Sequence, residues 1–166
     1  MEKKVSDKAR AYHEAAHTVV AVVMGIPVEE TTIRHTKEEK TGREIHGHTK
    51  YKEIAYQSKQ EEGEVVLNSV IAALAPIYTV DRIGEGEIAK IGCFIDYQRA
   101  EAIVATIAED QEEKKELMTR ANRKAKKEVD RNWQYIQAVA EELLTRETLV
   151  DDDILEIMAK TTERGR

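Results

Sequence analysis

From Ala15 to Pro27 the chain reads AAHTVVAVVMGIP, and Val19, Val20, Val22, Val23 and Met24 leave no polar face on a helix of about 3.6 residues per turn. A helix that is apolar all round has to be covered on every side, so the fold must be built around this segment. Ser6 or Asp7 can cap its start. Gly25 suits the left-handed residue that closes a helix, and Pro27 forbids continuation. Two histidines and a glutamate, His13, Glu14 and His17, interrupt the otherwise apolar opening AYHEAAHTVV.

The rest of the chain can supply the cover. Its 166 residues suffice for one domain with a real core, and 41% hydrophobic and 35% charged residues with only 8 Gly and 2 Pro predict a compact, mainly α fold. Residues 28–51, VEETTIRHTKEEKTGREIHGHTKY, are rich in Thr and β-branched residues and predict a small, exposed β-hairpin or ribbon with KEEKTGRE as its connection. Helical patterning returns from about Glu61 to Val80, disturbed near Pro76. A looser segment with Gly84, Gly86 and Gly92 follows, and a helix is expected from about Asp96. Gln111 to Thr145 reads as one long amphipathic helix, with Trp133 and Tyr135 as core anchors and Arg123 to Lys127 as a solvated basic face. DDDILEIMAK fits a last helix with an Asp at its cap, its acids favoured at the positive end of the helix dipole.

A net charge of −6 argues against a nucleic-acid partner, whose phosphates need a basic face. Cys93, the single cysteine, has no internal disulfide partner and, amid Ile91, Phe94 and Ile95, reads as a small buried hydrophobe. No secretory signal pattern stands at the N-terminus, and the uncharged run Ala15 to Pro27 falls well short of the roughly 20 apolar residues that cross a bilayer. A cytoplasmic protein without a membrane anchor is the expectation.

His13, Glu14 and His17 form H-E-x-x-H. Residues four apart share one helical face, so both imidazoles can reach one metal ion, and Glu14 then lies beside the water that the ion activates. That combination is suited to hydrolysis of a polarised carbonyl, most directly a peptide bond, with Glu14 accepting a proton and returning it to the leaving amine. A catalytic site of this kind needs a third protein ligand. Val23 occupies the position where an extended motif would carry a third histidine, so the ligand must come from farther away: Asp96, Glu64, Asp81, Glu85, Glu87, His46 and His48 are the candidates. His46 and His48, in IHGHT, alternate as strand neighbours do, and could share a face and a second ion.

The order of segments resembles the peptidase domain of FtsH-type ATP-dependent zinc proteases. AYHEAAHTVVAVVMG is similar to that domain's A-Y-H-E-A-G-H-A-x-V start, and PVEETTIR with GHTKY resembles its edge-strand region. IGCFIDYQRAEAIVATI resembles its G-A-S-x-D-L-x-x-A-T-x-I-A segment, and RANRKAKKEVDRNWQYIQAVAEELLTRETLVDDDILEIM its C-terminal helices. The resemblance spans nearly the whole chain. It implies a zincin-like helical metallopeptidase domain over residues 1–166, one Zn²⁺ per chain held by His13, His17 and Asp96, and Glu14 as general base. It also implies an endopeptidase acting on unfolded or short polypeptides, with His48 and Thr49 beside the substrate cleft.

The departures are specific. No G-x-x-x-x-G-K-[ST] phosphate loop is present, so an ATPase partner in trans would have to do any unfolding. Ala16 replaces a glycine of the motif, and ALAPIYTVDRIG stands where the family carries A-G-R-x-A-E-E, which bears on substrate or oligomer contacts, homo-oligomers included. The competing reading is a catalytically silent module that keeps the fold and the zinc and acts as a regulatory or interaction partner.

Overall fold

The computed structural model describes residues 5–37, 39–42, 44–84 and 86–165, the side chains of 86–89 and 91 excepted. Helix α1, Asp7–Val23, is the centre of the fold as its composition demands. The Ser6 side chain accepts from the Ala9 N–H at 3.0 Å and caps the first turn. At the other end Gly25, at φ +79°, donates its N–H to the Val22 carbonyl, and Ile26 donates to that of Ala21 at 2.9 Å. This paired closure satisfies carbonyls that a helix end leaves open. Val19, Val20 and Ala21 are buried, whereas Val23 emerges 39% exposed, so the expected all-round burial stops one turn short of the end.

Helices α2, Lys59–Leu74, and α6, Trp133–Arg146, pack on α1. Tyr12 of α1 stacks on Trp133 at 5.7 Å between ring centroids, and the Arg82 guanidinium lies 4.7 Å from the same indole. Trp133 is thus a core anchor, as expected. Leu74, Ile136, Leu143, Leu149 and Ile154 are fully buried, each contributing about 1.5–3 kcal/mol relative to exposure.

The remaining face of α1 is covered by an antiparallel sheet with strand order β4-β1-β5, where β1 is Val28–Thr32, β4 is His48–Tyr51 and β5 is Thr148–Val150. Thr31 pairs with Thr49 on one side and Leu149 on the other. The ribbon expected over residues 28–51 is therefore part of a larger arrangement. Its inner pieces, β2 (Thr36–Lys37) and β3 (Glu44–Ile45), form a separate two-stranded ribbon, while β1 takes a third strand from near the C-terminus. That strand is entered through Glu147, at φ +63°, whose carbonyl receives the Ile33 N–H and the Thr32 hydroxyl.

Several sequence boundaries move. The helix α2 gives way to a 3-10 turn over Ala75–Tyr78, with Pro76 in its first positions, and to the short α3, Val80–Ile83. Helix α4 runs Gly86–Val104, so Asp96 sits inside a helix and is not its cap. The single long helix expected over Gln111 to Thr145 is two, α5 (Gln111–Arg131) and α6, broken at Asn132. The Asn132 side chain donates to the Glu128 carbonyl at 2.8 Å, competing for a main-chain acceptor as short amides do. Helix α7, Asp151–Arg164, is capped at Val150, whose N–H donates to the Asp153 carboxylate at 3.1 Å; the acid reaches back from the first turn instead of occupying the cap. The helical stretch Lys59–Ile83, which contains the uncharged run Val65 to Val80, is long and apolar enough by composition to cross a membrane, with 44% of its most apolar window buried in this fold.

Candidate metal centre

His13 and His17 project from one face of α1 toward α4, which presents Asp96. His13 Nε2 and His17 Nε2 are 3.2 Å apart, and Asp96 Oδ2 lies 2.9 Å from the first and 3.2 Å from the second. His17 Nδ1 lies 3.0 Å from the Ala72 carbonyl of α2 and donates its hydrogen to it, which leaves the lone pair on Nε2, facing the cluster. Residues far apart in sequence converge because α2 packs on α1 and carries α4 with it: the Ala72 carbonyl of α2 fixes one imidazole, and α4, packed on α2, delivers the carboxylate.

Two features separate this triangle from an ordinary His–Asp pair. Asp96 Oδ2 is buried and accepts no aligned hydrogen bond despite the nearby imidazoles, and a buried carboxylate oxygen left unpartnered costs free energy. The three edges are also close to the ligand–ligand separation of about 3.3 Å that tetrahedral geometry gives at bond lengths of about 2 Å. Two imidazole nitrogens and one carboxylate oxygen are a donor set for a divalent ion, and the residues present fit one.

Electrostatics agree with the geometry. Burial works to raise the Asp96 carboxyl, but the His13 and His17 imidazoles outweigh it and hold the group well below the usual carboxylate range. Burial works to lower His17, and the Asp96 and Glu14 carboxylates with the Ala72 carbonyl raise it above its ordinary value. The site concentrates negative charge around paired imidazoles, a field that favours a cation.

Glu14 is buried beside the triangle. Thr49 of β4 donates its hydroxyl to Glu14 Oε2 at 2.8 Å; with its one proton committed, it accepts from Thr31 at 3.1 Å and Thr18 at 3.3 Å. The carboxylate is thereby fixed by a threonine network spanning α1, β1 and β4. Gly47, at φ +123°, lets the chain pass close above it: a Cβ there would lie 3.2 Å from Glu14 Oε1 and 3.0 Å from the Thr32 carbonyl oxygen. Gly92 of α4 makes the matching approach to His13, since its Cβ would lie 3.2 Å from His13 Cε1.

Two further groups border the site. Tyr51 is 40% exposed, yet its phenol is held above the ordinary value by burial and then by Glu14 and Asp96, so its hydroxyl feels both carboxylates. Cys93 is buried against Ala9 and Val80, with Sγ 4.0 Å from His13 Nδ1, and burial followed by the charge of Asp96 pushes its thiol up to about 12. It packs as a neutral thiol, in keeping with its apolar neighbours.

Of the residues singled out in the sequence, His13, Glu14, His17, Thr49 and Asp96 come together. Glu64 and Asp81 are exposed and do not join them, while Glu85 and the side chain of Glu87 lie outside the described residues. His48 alternates with Thr49 and lies on the other face of β4, its Nε2 3.6 Å from Glu30 Oε1. His46 and His48 do not share a face, because Gly47 breaks the extended run between them; His46 turns instead to His35. A shallow depression of about 410 Å³, away from the metal centre, is bordered by Met24, Leu67, Arg120, Arg123 and Lys127; Arg123, Lys126 and Lys127 are exposed, as expected of a solvated basic face.

What the sequence left unmarked is the support: the Ala72 carbonyl, the Thr18 and Thr31 hydroxyls, Gly47 and Tyr51. The one visible signal was the Gly–His–Thr–Lys–Tyr segment itself, whose alternation puts Thr49 and Tyr51 on one side of a strand. Compared with known proteins, the chain matches no family model, and no curated protein matches it significantly.

Proposed function

We propose that this chain is a zincin-like, zinc-dependent metalloendopeptidase domain of the FtsH type. The observation that carries the reading is the convergence of His13 Nε2, His17 Nε2 and an otherwise unpartnered, buried Asp96 Oδ2 next to a buried, oriented Glu14. The sequence resemblance supports the same assignment.

His13, His17 and Asp96 would hold the ion. Zinc, when bound, supplies a Lewis acid and brings a water toward neutral pKa. Glu14 takes a proton from the attacking water and returns it to the leaving amine, and the Thr49 hydroxyl fixes which carboxylate oxygen stays free for this exchange. Among the described residues the outer edge of β4 pairs with no further strand, and it offers main-chain donors and acceptors to an extended polypeptide, giving affinity with little dependence on sequence. Substrates are accordingly unfolded or short, and a separate ATPase would deliver folded ones.

The test is degradation of casein by the purified chain with Zn²⁺ and without ATP, beside Glu14→Gln and a chelator control. Cleavage that drops about 10²- to 10⁴-fold in Glu14→Gln is expected. No cleavage by a zinc-loaded parent, or full activity in the variant, would overturn the assignment and favour a silent zinc-binding module.

A further inference from the structure

The β2–β3 ribbon carries a second group of metal-ligating side chains that the hydrolytic site does not use. Thr36 pairs with Ile45 and Lys37 with Glu44, so the antiparallel register sets His35 directly opposite His46. Glu44 lies two residues before His46 and therefore on the same side of the ribbon. The side chains follow that rule: the His35 and His46 rings are 4.4 Å apart between centroids, Glu44 Oε2 is 3.5 Å from His35 Nε2 and 3.9 Å from His46 Nε2, and their ligand atoms all lie within 4.8 Å of one another. Neither imidazole–carboxylate separation is short enough for a hydrogen bond, so the three groups face one another without satisfying one another.

We infer that His35, Glu44 and His46 form a second site for a transition-metal cation of the Zn²⁺, Ni²⁺ or Cu²⁺ class. Imidazole with one carboxylate suits these ions and not Mg²⁺ or Ca²⁺, which take oxygen donors. The three side chains are 45%, 60% and 51% exposed, so they can close to ligand spacing by rotamer adjustment without disturbing the core. Lys37 shares their side of the ribbon, but its Cε lies 3.8 Å from where a Cβ on Gly42 would be, at the turn. Its side chain therefore extends toward the turn, the end of the ribbon opposite the paired imidazoles.

Exposure also sets the rank of the two sites. The ribbon ligands lose rotamer freedom on binding, whereas His17 and Asp96 are already held by packing, so the ribbon binds more weakly than the helix site. The ribbon site is built from its own three residues and stands whether or not the chain is a peptidase. Its place is notable for function all the same: His46 immediately precedes Gly47, the residue that passes against Glu14.

The experiment is calorimetric titration of the metal-free full chain with Zn²⁺, comparing the parent with His46→Ala, His35→Ala and Asp96→Asn. Two steps are expected in the parent. The weaker should lose about tenfold or more in affinity in either ribbon variant, with the tighter unchanged, and should persist in Asp96→Asn. A parent that binds a single equivalent lost in Asp96→Asn, or a weaker step unchanged in both ribbon variants, would overturn the assignment. A parent that shows only the weaker step, lost in the ribbon variants and unchanged in Asp96→Asn, would count against the helix site and leave the ribbon site standing.

Discussion

Gly47→Ala tests the link between the fold and the candidate site most sharply. Two costs follow from the geometry. At φ +123° an L side chain is strained, a cost of order 1–3 kcal/mol. The new Cβ would also meet the Thr32 carbonyl oxygen at 3.0 Å and Glu14 Cγ at 3.3 Å, and Thr32 belongs to the central strand, which cannot recede without disturbing both its neighbours. The chain should therefore lose about 1–3 kcal/mol, or very roughly 2–12 °C in Tm for a domain of this size, and Glu14 should be displaced from Thr49. Gly63→Ala is the internal control. That glycine lies within α2 with nothing within 4 Å of an added Cβ, so the same chemical change there should stabilise by about 0.5–1 kcal/mol. Urea unfolding of both variants reads the opposite signs directly. Equal midpoints for Gly47→Ala and the parent would refute the close approach over Glu14.

Gly92→Ala should leave the helix as stable or more so, yet weaken Zn²⁺ binding, because its methyl crowds the His13 ring; competition with a chromophoric chelator separates the two effects. Thr49→Val, nearly isosteric, removes the hydrogen bond to the buried Glu14 carboxylate and should cost about 1.5–3 kcal/mol in urea unfolding, with casein cleavage reduced alongside. The raised His17 sets a pH dependence with opposite signs in two assays. In the metal-free protein the stability it contributes is fully present below the unfolded value of about 6.5 and is lost as pH rises through the folded value, while Zn²⁺ affinity, which needs the neutral imidazole, rises over that same interval. Chelator competition and urea midpoints across that range check both slopes, and a Zn²⁺ affinity that is flat with pH would contradict the role of His17.

Local chemistry made parts of this protein legible from the sequence. An apolar run with a cap at Ser6 and a stop at Gly25 can only be a buried helix, because the signals lie within a few residues of one another. The same holds for His13, Glu14 and His17, whose common face follows from helical pitch alone. Where a weak local preference competes with an interaction made elsewhere, the sequence misled: Asn132 breaks a helix that periodicity would continue, and Thr148–Val150 becomes a strand because β1 offers it a free edge.

The third corner of the site belongs to the second kind. Asp96 reads as a helix start in a glycine-containing stretch, and no periodicity connects it to His13; the packing of α4 on α2, which itself packs on α1, is what turns Oδ2 onto the two imidazoles. Pairing register likewise takes His46 away from His48 and sets it against His35. The sequence by itself determined which helix must be buried and which side chains on it carry chemistry, since both depend on spacing along one element. Only the tertiary structure decided what those side chains meet, because residues distant along the chain become neighbours through burial and strand pairing, which no single segment encodes.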